Sequence, residues 1–336
     1  RQEMFRGRLV ACHEVPARLG LVHDELRRRG LGAAWRVPAG APDPALLRRV
    51  HAPRYLDFLR DAWRDWLALD PANEALDILP SVWPGRGLRH DVAPSNFSAR
   101  VGLHAFDAGT PITAGTWEAA LGSADTGLTA ARTVFGGERM AFGLCRPPGH
   151  HAGADFYGGY CFLNNVAIAA QWLRDRGVQR VAILDVDYHH GNGTQEMFYS
   201  RNDVLFISIH ADPAQEYPFF SGYADEIGSG AGEGYNVNIP LPWGTRWAEF
   251  ATALAAASQR IHNFGADVLL VSFGADTYEK DPISRFLLGH DDFTRMGEAI
   301  GRLRLPTATL MEGGYAVDEL GRNTVNFLKG LISGAS

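Results

Sequence analysis

From about residue 115 onward the chain alternates short, continuously apolar runs with stretches whose apolar residues recur at helical spacing. The runs at 140–145, 181–187, 204–210, 268–273 and 307–311 predict strands, and the stretches at 165–176, 247–264 and 293–303 predict helices between them. A strand that is apolar at every position must be buried on both faces, which a parallel sheet covered by helices on each side provides. The pattern therefore predicts an α/β fold. Helices are also predicted at 18–29 and 52–69; in the second, Tyr55, Phe58, Leu59 and Trp66 stand close to helical spacing and read as core packing. Residues 79–114 have weak periodicity and many turn formers, among them Pro80, Pro84, Gly85, Gly87, Pro94, Gly109 and Pro111. Long irregular stretches inside a compact domain are usually functional, so this one is expected at the rim of a site or at a dimer contact. No internal repeat and no linker divides the chain, and residues 1–336 are read as one domain.

Composition narrows the classes without choosing among them. Apolar residues make up 46% and charged residues 21%, an ordinary folded profile rather than a disordered or fibrous one. The formal net charge of −6 argues against a nucleic-acid partner, since phosphate binding needs concentrated positive charge, and it is compatible with a cationic substrate. Cys12, Cys145 and Cys161 leave an odd count with no CxxC spacing, so neither a disulfide framework nor a thiolate zinc site is expected. No apolar run approaches the roughly 20 residues that span a bilayer, and no segment reads as a signal peptide. The expectation is a reducing, cytoplasmic setting with no membrane partner.

The chemistry is concentrated where predicted strands give way to loops. In open parallel sheets ligands bind beyond the carboxyl ends of the strands, which gathers residues far apart in sequence. Asp185, Asp187 and His189 alternate at the end of one buried strand, so a continued strand turns all three to one face. Burying two carboxylates and an imidazole together is expensive unless something compensates them. A divalent cation does so, and Asp oxygen and His nitrogen are ordinary zinc ligands. Asp276 closes another apolar strand and is the candidate third ligand; taken alone, it reads equally as a helix cap or turn residue.

Three further segments accompany these. Pro147, Pro148 and Gly149 make a stiff turn ahead of His150 and His151, side chains suited to proton transfer near neutral pH. Phe156, Tyr157 and Tyr160 flank Gly158 and Gly159, a composition that suits a narrow apolar wall and equally a packing cluster. Finally, Gly313 and Gly314 lead into Tyr315, whose hydroxyl suits hydrogen bonding to a developing oxyanion; on its own it would read as a core tyrosine.

Together, RPPGHHA, DVDYHHGNGT, SFGAD and EGGY, in that order, resemble the histone deacetylase superfamily. The longer strings GTWEAAL, LCRPPGHHAG, GGYCFLNN and DPIS resemble in particular its bacterial acetylpolyamine amidohydrolases, over about residues 106–330. The resemblance implies an arginase/deacetylase fold with an eight-stranded parallel sheet between helices. It implies a zinc ion, or ferrous iron in the cell, on Asp187, His189 and Asp276. By position His150 would bond Asp185 and His151 would bond Asn192. A carboxylate partner favours imidazolium, which makes His150 the charged helper and His151 the proton shuttle, with Tyr315 on the oxyanion. A structural potassium ion would use Asp185, Asp187, His189 and Ser208. Tyr160, Tyr217, Gly159 and Ile283 would line the acyl channel, with Asp107 beside it.

The implied activity is zinc-dependent hydrolysis of N-acetyl groups from acetylated polyamines or short diamines, by a homodimer. One departure bears on substrate: where these relatives carry acidic residues near the channel mouth, the matching positions here are the neutral Ser98 and Gly109. Deacetylation of acetyl-lysine in proteins or peptides is the alternative, since it shares every catalytic residue. An arginase-like ureohydrolase would need an extra carboxylate that the segment after His189 lacks. A non-enzymatic binding protein would be expected to have lost a ligand or the tyrosine.

Overall fold

The computed structural model describes residues 1–31, 35–38 and 40–336. An antiparallel ribbon comes first, β1 (Gln2–Phe5) and β2 (Arg8–Ala11), turning through Arg6 and Gly7 at φ of 49° and 77°. Two consecutive positive-φ residues give the tight turn whose twist matches a hairpin. Five helices follow: α1 (Ala17–Arg28), α2 (Pro44–Val50), α3 (Pro53–Leu69), α4 (Phe97–His104) and α5 (Thr116–Phe135). The chain then alternates β3 (Met140–Gly143), α6 (Asn165–Asp175), β4 (Val181–Asp185), α7 (Asn192–Phe198), β5 (Val204–Ala211), β6 (Asn236–Leu241), α8 (Trp247–Phe264), β7 (Val268–Phe273), α9 (His290–Gly301), β8 (Thr307–Met311) and α10 (Val317–Ala335).

Strands β3 to β8 form one sheet in the order β3-β8-β7-β4-β5-β6, every neighbouring pair parallel. The period-2 pleat divides each strand between two cores. Ala182 and Leu184 pack with Phe250, Ile261, Phe293 and Phe327 of α8, α9 and α10, whereas Val181 and Ile183 pack with Ala131, Val166 and Leu173 of α5 and α6. Fully burying one such side chain contributes about 1.5–3 kcal/mol, which is why apolar residues occupy successive positions. A third core joins α2, α3 and α4 to Ile78, Ile112 and Phe162.

From β4 the chain steps outward to β5 and β6, then returns to the other side of β4 with β7 and β8. Order therefore reverses between β4 and β7, and a crevice opens beyond their carboxyl ends. Asp185 ends β4 in register with Ser272 of β7 and with Ser208 of β5.

Several expectations need correction. The sheet has six strands rather than eight; the remaining two, β1 and β2, pair only with each other. The sequence reading missed β6, which carries Asn236, Asn238 and Pro240 and pairs on one side only, an edge position that tolerates a proline. Strand β4 stops at Asp185 and β3 at Gly143, two residues short of the predicted ends in each case. The 79–114 stretch, expected to be irregular, contains the helix α4, and its Asp107, Ala108 and Gly109 line a cavity.

Candidate functional site

Past Asp185 the chain leaves the sheet and is held by its own carboxylates. Asp185 accepts from the Asp187 N–H at 3.1 Å, and Asp187 accepts from the His189 N–H at 2.9 Å. These side-chain-to-backbone bonds replace the lost ladder, so Asp187 and His189 are placed by a loop and not by continued alternation. Asp276, in the loop after β7, accepts from the Tyr188 N–H at 2.9 Å, which ties the two loops together. One ligand atom each of Asp187, His189 and Asp276 lies within 4.8 Å of the others, and all three side chains are buried.

This group needs positive charge. His189 Nδ1 sits 3.0 Å from Asp276 and 3.3 Å from Asp187. Burial works against a charged imidazole there, but hydrogen bonds and attraction from Asp187 and Asp276 raise its pKa well above the ordinary value. The same field favours a divalent cation, which displaces that proton because a ligating histidine is neutral. Two oxygens and one nitrogen suit zinc or ferrous iron. Neighbouring backbone leaves the space open: a Cβ at Gly313 would lie 2.5 Å from Asp276 Oδ2 and 2.7 Å from Asp187 Oδ2, and one at Gly274 would collide with Asp187. The residues fit a metal.

The loop after β3 brings in the histidine pair. Glu312, which ends the apolar run of β8, accepts from the N–H groups of Gly149 at 2.6 Å and His150 at 3.2 Å, and from Ser272 Oγ at 3.2 Å. Burial pushes the Glu312 pKa up to about 7, against the pull of His150 and the Gly149 N–H. The two imidazoles lie 4.0 Å apart, centroid to centroid, with different partners. His150 Nδ1 is 2.9 Å from Asp185 Oδ2, and His151 Nδ1 is 2.7 Å from Asn192 Oδ1. For His150, burial is outweighed by the Asp185 and Asp187 charges, and its pKa rises to about 10. For His151, burial and then repulsion from His150 and His189 hold the pKa well below the ordinary value. The two rings are thus pushed in opposite directions, His150 toward the charged form and His151 toward the neutral one.

Tyr315 is presented by a loop pinned from both sides. Gly314 adopts φ of 124°, which a side chain would strain. The fully buried Arg18 of α1 donates to Gly314 O at 2.8 Å and Glu312 O at 2.5 Å, and its guanidinium lies 5.1 Å from the Tyr315 ring centroid. Burial raises the Tyr315 pKa well above its ordinary value, so the hydroxyl keeps its proton.

A cavity of about 310 Å³ is lined by His151, His189 and Tyr315 together with Asp107, Gly159, Tyr160, Tyr217 and Ile283. Every expected channel residue is thus brought to the same place. Asp107 organises part of this lining: it accepts from Gly159 N–H at 2.6 Å, Gly109 N–H at 2.9 Å and Tyr217 O–H at 2.7 Å. Gly159 is required where it stands, because a Cβ would lie 2.7 Å from His151 Cγ. Tyr160 donates its hydroxyl to the buried Glu3 at 2.9 Å. Gly109 lines the cavity; Ser98, on α4, does not.

Sequence reasoning missed Glu216, Phe219 and the hairpin tip Met4, Phe5 and Arg6, all of which also line the cavity. Nothing in the hairpin's short, weakly patterned strands announces that role. Glu312 had a readable signal, since an acidic residue closing an apolar strand is what singled out Asp276. Ser208 is buried beside Asp185, its Oγ 2.8 Å from His210 Nδ1.

Comparison with known proteins agrees with this geometry. The histone deacetylase domain profile matches residues 12–331. The chain is 53% identical to acetylpolyamine amidohydrolase 2 of Pseudomonas aeruginosa, over 98% of this chain and 94% of that one. It is 44% identical to the acetylpolyamine amidohydrolase of Mycoplana ramosa, over 98% of this chain and 95% of the relative. Among solved structures, the acetylpolyamine aminohydrolase of Burkholderia pseudomallei superposes with a TM-score of 0.92 at 39% identity, covering 99% of this chain and 95% of that one.

Proposed function

The chain belongs to the histone deacetylase family, and from that premise we propose that it hydrolyses the acetyl group of acetylated polyamines or short diamines, giving acetate and a free amine. The observation that carries this reading is that His189 of the buried Asp187–His189–Asp276 cluster, His151 of the histidine pair and Tyr315 all line one cavity. The enzyme is metal-dependent. Asp187, His189 and Asp276 would hold zinc or ferrous iron, which when bound supplies a Lewis acid for the acetyl carbonyl and lowers the pKa of the attacking water. Asp185 stands opposite Ser208, which supports the potassium reading; backbone oxygens of Asp187 and His189 would complete such a set.

The protein's own groups carry the protons. The His151–Asn192 bond places the ring proton on Nδ1 and leaves the Nε2 lone pair as the base. That nitrogen removes one water proton during attack and returns it to the departing nitrogen; the acid so formed gives its remaining proton to the free amine, and the products leave as acetate and ammonium. His150, kept charged by Asp185, adds fixed positive potential where negative charge develops. The Tyr315 O–H donates to the oxyanion.

The small cavity, with Tyr160, Tyr217 and Phe219 in its lining, suits a slender acyl chain on a small molecule, and the Glu216 and Asp107 carboxylates favour an amine there. The relatives are named for acetylated polyamines, in agreement. The test is a rate comparison, on one metal-loaded preparation, of N-acetylcadaverine and N-acetylputrescine against an acetyl-lysine peptide. Higher kcat/KM for the small amines is expected; a faster peptide would make this a protein-directed deacetylase.

A homodimer through the 79–114 segment is the quaternary arrangement proposed, supported by the exposed Val82, Trp83, Leu88 and Val92. A solution mass of two chains is expected from light scattering, and a mass of one would remove the idea. Among the described residues no helix is long and apolar enough to cross a membrane. The three cysteines are free, which supports a reducing, cytoplasmic setting.

A further inference from the structure

We propose that Asp281 is the positioning residue for Tyr315, fixing the angle at which the tyrosine enters the cavity. Asp281 lies in the loop between β7 and α9, and its side chain is buried. One carboxylate oxygen accepts from the N–H groups of Tyr315 at 2.7 Å and Ala316 at 3.2 Å; the other accepts from Ile283 N–H at 3.1 Å. Tyr315 and Ile283 line the same cavity and come from loops after different strands. A single rigid group therefore sets the oxyanion donor against the wall that guides the substrate.

The bonds are well matched to that task. A buried backbone N–H needs an acceptor, and an ionised carboxylate makes a stronger, shorter bond than a carbonyl does. The Tyr315 loop is otherwise fixed at its neighbours: Arg18 on the Glu312 and Gly314 carbonyls, Asp187 on the Gly313 N–H, Ala275 N–H on the Gly313 carbonyl, and the Glu319 and Leu320 N–H groups on the Ala316 carbonyl. Asp281 alone holds the peptide N–H of the tyrosine itself. The Gly314 carbonyl and the Tyr315 N–H share one peptide plane, gripped by Arg18 at its oxygen and by Asp281 at its nitrogen. Losing Asp281 leaves that plane held at one edge only, and with Gly314 at φ of 124° before it the slack is amplified at the ring and hydroxyl. A displacement of about 1 Å at a reacting group can cost about a hundredfold in rate.

This inference rests on the proposed role of Tyr315, and a double-mutant cycle separates the two. Asp281→Ala, Asp281→Asn, Tyr315→Phe and both double variants are purified, and kcat, KM and bound metal are measured. Tyr315→Phe alone is expected to lower kcat about 10²–10³-fold. Asp281→Ala is expected to lower kcat about 10–100-fold with little change in KM or metal content. Asp281→Asn, which keeps one acceptor oxygen, should retain most of the activity that Asp281→Ala loses. In the Tyr315→Phe background both Asp281 changes should cost less than about threefold, since residues acting as a unit are not additive.

Equal losses in the two backgrounds would overturn the assignment, because a merely structural carboxylate weakens the enzyme whatever stands at position 315. If Asp281→Ala does not fold, Asp281→Leu, similar in size to the aspartate and without an acceptor oxygen, takes its place in the cycle. Failure of both to fold makes Asp281 a folding residue and overturns the proposal. Full turnover by Tyr315→Phe would instead remove the reading beneath it, and the inference with it.

Discussion

Replacing His151 with alanine is expected to lower kcat by about 10²–10⁴-fold, the range over which a positioned general base contributes. The expectation follows from the state of the ring. His151 is neutral because it is buried and faces two other imidazoles, and its Nδ1 is occupied by Asn192. The other nitrogen is left as a proton acceptor in a cavity shared with His189 and Tyr315. His150, in contrast, holds its proton through Asp185 and has nothing to accept with at working pH. His150→Ala is expected to be slower than the parent as well, through loss of a fixed charge rather than of the shuttle. A small amine such as imidazole in the assay buffer should restore part of the His151→Ala rate and none of the His150→Ala rate. Near-normal turnover by His151→Ala beside an inactive His150→Ala would reverse the two roles.

The same pair shows how much of the site could be read from sequence. Adjacent histidines look alike in a string of letters; what separates them is a partner 35 residues away for one and 41 for the other. Family resemblance supplied that pairing, and the structure agrees with it. Local chemistry pointed to Asp276, because a carboxylate closing an apolar run sits where a parallel sheet opens. It did less well for geometry. Alternation was the argument for Asp187 and His189, yet the strand ends at Asp185 and side-chain-capped turns take over. Both mechanisms leave the side chains on the crevice.

What stayed hidden depends on long-range contact. Arg18 reads as one more charged residue on an amphipathic helix, but it is buried against carbonyls 294 and 296 residues away. Asp281 sits in a recognisable DPIS string, and nothing in that string says its carboxylate is spent on the backbone of Tyr315. Glu3, in a four-residue strand, reaches the hydroxyl of Tyr160. The long parallel strands were predictable because both their faces are buried and each position must be apolar. The ribbon and β6 were not, since their exposed or edge positions admit Asn, Pro and Arg without cost.

Chelation is expected to abolish turnover and, independently, to lower the midpoint of thermal unfolding by several degrees. Both effects come from charge. Asp187 and Asp276 are buried together, and taking ions out of water costs several kcal/mol each unless they are compensated. A cation bound only by the folded chain at a hundredfold excess over its Kd stabilises it by about 2.7 kcal/mol, and removing it forfeits that amount. With an unfolding entropy of about 2.1 cal/mol/K per residue, a chain of 336 residues shifts by about 1.4 °C per kcal/mol, so the change is about 4 °C and calorimetry resolves it. Gly313→Ala provides the matching variant. Its methyl would press on both carboxylates and disturb the N–H that Gly313 donates to Asp187 at 2.8 Å. Metal affinity should fall by about 10–100-fold, as it does when support around a ligand is lost. At limiting zinc, Gly313→Ala should therefore unfold near the temperature of the chelated parent, and raising the zinc concentration should bring the midpoint back up. A parent whose unfolding is indifferent to chelation would mean that the carboxylates are neutralised by the His189 proton alone, and the metal reading of Asp187, His189 and Asp276 would fail with it.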